Sequence, residues 1–238
     1  MEKDAFEYLN NLANSAADKK VQVKNGDTFL IGDDVHPWHH DYSANEPIEV
    51  HTLTAIVDYL KSGADNRQPI MINVVSPSKV YVYGPMDGFG EREELMRATL
   101  VQDHVMLNQF MDREQLNIML QAQFEDTPDK KAIIDFISHL KEDKDSSEVV
   151  DDGVTQMATV KTGVASVGIA KVPNPVALKP YRTFPEVDQP ESQFIFRMAE
   201  RMQGAIYEAD GGMWKNNAIK GIKEYLASAI SDKIKILG

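Results

Sequence analysis

Hydrophobic positions along the chain change period several times, and each change marks an element. Between residues 4 and 18, Ala5, Leu9, Leu12 and Ala16 fall on one stripe, with acidic residues near the start where the helix dipole favours them. This spacing predicts a short amphipathic helix. VQVKNGDTFLIGDD then holds two β-prone runs around Asn25-Gly26, the dipeptide best suited to a two-residue hairpin turn. DDVHPWHHDYSANEPIEV is rich in turn formers and reads as an extended loop. After it, Leu53, Ile56, Val57 and Leu60 recur at helical spacing between a capping Thr52 and a terminating Gly63.

The period next shortens to that of strands. PIMINVVS and KVYVYG are separated by Ser76-Pro77-Ser78 and predict a strand pair, which LMRATLVQ extends beyond the turn at Gly84 to Gly90. Helical spacing returns with Leu116, Met119, Leu120 and Phe124. It returns again with Ile133, Ile134, Ile137 and Leu140 behind Thr127-Pro128-Asp129, where Thr caps and Pro suits the first helical position. These two segments predict a helical hairpin. KEDKDSSEVVDDG is charged, poor in apolar residues and reads as a linker.

From Gly153 the pattern is β. VTQMATV and TGVASVGIAKV predict a sheet or meander, and five prolines between Pro173 and Pro190 confine the next stretch to extended or edge segments. FIFRM and AIYEAD are read as the last strands. A final helix from Trp214 to Ile230 places Ile219, Ile222, Leu226 and Ile230 on one side, and it and the helix at 53–62 each offer a single apolar stripe to a sheet. The expected fold class is α+β: helices and β-hairpins in the N-terminal part, and a β-rich C-terminal part closed by an amphipathic helix. The expected division is 1–145 and 146–238, or one continuous domain.

Composition narrows the chemistry. At 238 residues, 42% hydrophobic and 26% charged, the chain has the make-up of a folded globular protein. Without cysteine it has no disulfide, zinc ribbon, iron–sulfur cluster or thiol nucleophile. Its first residues lack the apolar core of a signal peptide, and no stretch reaches the roughly 18 apolar residues of a membrane span. The expected setting is the cytoplasm of a bacterial host.

The net charge is −12, unevenly spread. From Lys171 onward ten Lys and Arg face eight Asp and Glu, so that stretch carries +2 and the 170 residues before it −14. Such an acidic body repels a phosphate backbone, which argues against bulk nucleic-acid binding.

Three clusters could carry chemistry. His36, His39, His40 and Asp41 lie within six residues and have the ligand types that zinc or a harder transition metal accepts. Their spacing matches no recognised metal signature, and a polar surface loop accounts for them more simply. Glu208 and Asp210, two apart on a strand, could share a face and hold magnesium or divide acid and base roles. Asp210 before two glycines is equally what a strand-to-helix turn uses. Tyr181 and Arg182, with Thr183 and Phe184, could stack on a base or grip an anion, although an arginine among Glu186, Asp188 and Glu191 more often forms an internal ion pair. With Trp214, the candidate binding residues are Tyr181, Arg182, Glu208 and Asp210.

No phosphate-binding glycine loop and no G-x-S-x-G elbow occurs, so no catalytic residue is assigned and no cofactor is expected.

VHTLTAIVDYLKS, INVVSPSKVYVYG, DGVTQMATVKTGVA, VPNPVALKPYRTFPEVDQPESQFIFRM and EADGGMWK together resemble an uncharacterised family of tailed-phage and prophage proteins, a domain of unknown function. The likeness spans roughly residues 50–230 and is most specific from Pro173 to Lys215. It implies a viral or prophage setting and transfers no catalytic residues. The leading expectation is a non-enzymatic accessory protein acting by binding and self-association, with a homo-oligomer, a host protein or a small molecule as partner. Two alternatives stand beside it: antagonism of host defence by an acidic surface or small-molecule capture, and a metal-dependent hydrolase or nuclease.

Overall fold

The computed structural model describes residues 7–8, 20–24, 27–31, 35–38, 46–64, 69–86, 90–101, 105–139, 149–151, 155–162, 166–199 and 203–238. The helix expected at 4–18 lies outside the described residues except for Glu7 and Tyr8, which are helical. Residues 141–148 and 152–153 of the expected linker also lie outside them, and its residues 149–151 form a strand where a linker was expected.

The fold is α+β. Strands β1 (Lys20–Lys24), β2 (Asp27–Ile31) and β3 (Val35–Trp38) form a three-stranded antiparallel sheet, with Lys24 opposite Asp27 across a two-residue connection. The stretch read as one extended loop therefore contains β3, and also β4 (Ile48–Val50) at its end. Both pair with distant or neighbouring backbone that a local reading of turn formers cannot supply.

A five-stranded sheet holds the first core. The meander of β5 (Met71–Ser76), β6 (Lys79–Met86) and β7 (Arg92–Thr99) forms its centre, flanked by β4 parallel to β7 and β14 (Lys235–Leu237) parallel to β5. Register places Ile72 opposite Val82 and Val82 opposite Met96, then Val74 opposite Val80 and Val80 opposite Ala98. Two apolar rows thus cross the sheet on one face, as a period of two requires. Helices α1 (Leu53–Ser62) and α4 (Met213–Ala229) cover that face with Leu53, Ile56, Val57, Ile222 and Leu226. Thr52 caps α1 by accepting from the Ala55 amide, and Gly63 ends it at φ 63°. The expected C-terminal helix is α4, and β14 is an addition after it: three residues are too short to show a period, and only β5 makes them a strand.

The second core lies on the sheet β11 (Val176–Leu178), β12 (Ser192–Ala199) and β13 (Gln203–Glu208). Helices α2 (Arg113–Gln123) and α3 (Pro128–His139) bury Leu116, Leu120, Ile133 and Phe136 there. Phe124 meets Phe194 edge-on at 6.4 Å, and Phe136 meets Phe196 at 5.8 Å. A further sheet of β8 (Val149–Asp151), β9 (Thr155–Thr162) and β10 (Ser166–Pro173) packs against α3. The edges of the second core's sheet are not bare. Residues 108–111 bond along β13 through Asn108 N to Ile206 O and Gly204 N to Met111 O, and Glu125 N reaches Lys179 O beyond β11.

The two cores do not divide at 145/146. The first draws Phe184, Ile222 and Leu226 from the C-terminal part, and the second draws residues 105–137 from the N-terminal part. The segment 178–190 crosses between them, with Leu178 in one core and Phe184 in the other. Buried Thr183 fixes the crossing by donating to Pro77 O at 2.7 Å. The Gln189 side chain accepts from the amides of Arg182 at 2.9 Å and Thr183 at 3.2 Å.

Candidate functional site

Arg182 stands at this crossing within a cluster of polar and aromatic side chains. Its side chain is 9% exposed. Nη1 donates to Glu208 Oε1 at 2.7 Å, and Nη2 donates to Ser192 Oγ. The Ser192 hydroxyl in turn donates to Asp210 Oδ2 at 2.7 Å. The guanidinium lies 3.8 Å from the Trp214 ring centre and 5.7 Å from that of Phe194. Burial pushes the Arg182 pKa down to about 10, against the opposing pull of Glu208 and Asp210. It remains a cation at neutral pH.

The strand-to-helix junction explains why this cluster forms. β13 delivers Glu208, and the chain turns through Gly211 at φ 62° and Gly212 at φ 80°, values that glycine adopts at little cost. Asp210 spans the turn: Oδ1 accepts from Gly212 N at 2.9 Å, and Oδ2 accepts from Trp214 N at 3.3 Å. It therefore caps α4 from outside the helix and fixes the residue whose indole covers Arg182. Burial raises the Asp210 pKa, but the bonds from Ser192, Gly212 and Trp214 and the nearby Arg182 charge outweigh it and hold the carboxyl below its ordinary value.

The cluster forms one wall of a cleft of about 640 Å³. Ser78 and Leu100 reach it from the first core, and residues 105–109 also line it. Pro180, Tyr181, Arg182, Glu208, Trp214 and Lys215 complete it. The lining is mostly apolar with a few convergent polar groups, the usual make-up of a small-molecule site. Exposed Met106 and Tyr181 belong to this lining. Two donors in the wall, Arg182 Nε and Trp214 Nε1, are buried without a protein acceptor. Such a group costs about 1–3 kcal/mol, a cost that an acceptor offsets.

Four of the residues singled out in the sequence, Tyr181, Arg182, Glu208 and Trp214, thus line one cleft, and Asp210 stands behind them through Ser192. Arg182 forms an internal ion pair, though with Glu208 on β13 and not with Glu186, Asp188 or Glu191. Glu208 and Asp210 are each engaged by this network and do not converge on an open metal position. Of the histidine cluster, His36 lies on β3, while His39, His40 and Asp41 fall outside the described residues. Among the described residues no three His, Asp or Glu side chains are grouped to hold a metal ion.

Ser78, Ser192 and the 105–109 loop carry no local signal in the sequence. Long-range pairing alone brings them to the site.

Comparison with known proteins adds no relative: no family model, curated protein or solved structure matches the chain. No helix among the described residues is long and apolar enough to cross a membrane.

Proposed function

We propose that the chain is a non-enzymatic accessory protein of the phage or prophage setting its sequence resembles, and that it works by holding a small ligand in the Arg182–Trp214 cleft. The observation that carries this reading is the commitment of the site's central charges to one another. Arg182 is fixed by Glu208, Ser192 and two aromatic rings, and Asp210 by a hydroxyl and two amides. A general acid or base works best with a pKa near the operating pH. Arg182 is set well above neutrality and Asp210 well below it. Rigid, charge-compensated walls around an apolar space suit recognition better than proton transfer.

The test is thermal stabilisation by a metabolite library, comparing the wild type with Gln109→Trp, a substitution at an exposed lining residue that fills the cleft. A compound that raises the melting temperature of the wild type and not of the variant supports the reading. Equal responses of the two proteins overturn it.

Self-association belongs to the same proposal. Phe110 and Met213, both exposed, follow and precede cleft residues in sequence, and with Met106 and Tyr181 they offer an apolar rim that a second copy could cover. Light scattering after size exclusion tests it, and a strict monomer at micromolar concentration refutes it. Antagonism of host defence is supported in one form only, capture of a small signalling molecule by this cleft. Equal plating of a phage lacking the gene on defended and undefended hosts would end that version.

A further inference from the structure

We propose that the cleft receives the base of a nucleoside, a neutral flat heteroaromatic ring whose adjacent N–H donors meet the Glu208 carboxylate; this rests on the ligand-binding reading above. Charge selects the class first. Arg182 and Lys215 disfavour a cationic ligand, while Glu208 and Asp210 disfavour an anionic one. The four charges sum to zero, so the site offers no net charge to draw in an ion of either sign. Lys215 is exposed and lies 5.9 Å from the Trp214 ring, a single flexible cation and no cradle for a polyphosphate.

Hydrogen bonding then selects within neutral ligands. Glu208 uses Oε1 to hold Arg182, no bond to Oε2 is formed by a described residue, and 33% of the side chain remains exposed in the cleft wall. An ionised carboxylate has about four acceptor sites, so it can take two further parallel N–H groups. Because Arg182 clamps Oε1, the carboxylate is already oriented before a ligand arrives. A ring with two neighbouring donors on one edge, the guanine arrangement of N1–H beside an exocyclic amine, matches it. Such a ring also bears acceptors. The buried donors at the site without a protein acceptor are Arg182 Nε and Trp214 Nε1. The ring's faces find Tyr181, Met106 and Pro180, and a cleft of about 640 Å³ leaves room for the sugar. The acidic body opposes a nucleic-acid strand, which makes a free nucleoside the expected form.

Calorimetric titration and saturation-transfer NMR with guanosine test this directly. Guanosine should bind saturably, and inosine, which lacks the exocyclic amine, should bind about tenfold more weakly, the loss of one hydrogen bond. Benzoate and benzylamine, as anionic and cationic flat ligands, should not compete. Glu208→Gln should weaken guanosine by at least tenfold. Because that change also loosens Arg182, Tyr181→Ala serves as a second variant that leaves the network intact; it should weaken guanosine and inosine equally, leaving their ratio unchanged. Equal binding of guanosine and inosine, or tighter binding of either charged ligand, overturns the base assignment and leaves the cleft's binding role standing. If no nucleoside binds and the metabolite library also fails to separate wild type from Gln109→Trp, both readings fall together.

Discussion

Replacing Asp210 with alanine tests whether one carboxylate holds the site together. Three bonds are lost: those from Gly212 N at 2.9 Å, Trp214 N at 3.3 Å and the Ser192 hydroxyl at 2.7 Å. The two amide bonds are a helix cap, and removing a cap costs ~1 kcal/mol. Loss of a negative charge from the first turn of α4 adds ~0.5 kcal/mol. The Ser192 bond contributes about 1 kcal/mol more, since the serine is buried but keeps its bond with Arg182. The sum is about 2–3 kcal/mol, which for a chain of this size lowers the melting temperature by roughly 4–12 °C. Asp210→Asn, which can still cap Gly212 but cannot accept at both remaining donors, should lose about half as much.

Circular-dichroism melts and urea titrations give both numbers. The pH dependence supplies an internal check. Asp210 has a folded pKa below its unfolded value, so its contribution is complete above about pH 4 and is lost as pH falls through the folded value. The gap between wild type and Asp210→Asn should therefore hold at neutral pH and narrow in acid. An alanine variant within about 0.5 kcal/mol of wild type, the scatter of ordinary surface substitutions, would refute the reasoning.

Three further outcomes follow from packing and hydrogen bonding. A Cβ on Gly204 would stand 2.4 Å from Leu116 Cδ2 and 3.2 Å from Met198 Sδ, so Gly204→Ala should cost about 1–3 kcal/mol by overpacking; adding Leu116→Ala should cost less than the sum of the two single changes. Thr183→Val keeps the shape but removes the 2.7 Å bond to Pro77 O between the cores, and should lose about 1–3 kcal/mol in urea titration. Glu186 accepts from Thr54 N at 3.0 Å at the start of α1, a helix with no acid of its own in the first turn, so Glu186→Gln should cost only about 0.3–1 kcal/mol, less at high salt.

Local patterns carried most of the elements. Thr52 and Gly63 bracket α1, Thr127-Pro128 opens α3, and the alternation in 71–76 and 79–86 aligns as paired strands because side-chain period and capping chemistry act within a few residues. Asp210 with two glycines was legible as a turn for the same reason: an Asx cap and positive φ are local demands. β3, β4 and β14 were not legible, since strands of three or four residues show no period and exist only through partners far away or beyond a loop.

The candidate site divides in the same way. The sequence by itself determined that Tyr181, Arg182, Glu208, Asp210 and Trp214 have the chemistry to bind, and that the chain is acidic and without cysteine. Only the tertiary structure decided that Arg182 pairs with Glu208, that Ser192 links it to Asp210, and that Ser78 and the 105–109 loop close a cleft beside them. The partners of a buried charge are chosen by which strands and loops pack together, and that choice is made by the burial of two cores drawn from both ends of the chain.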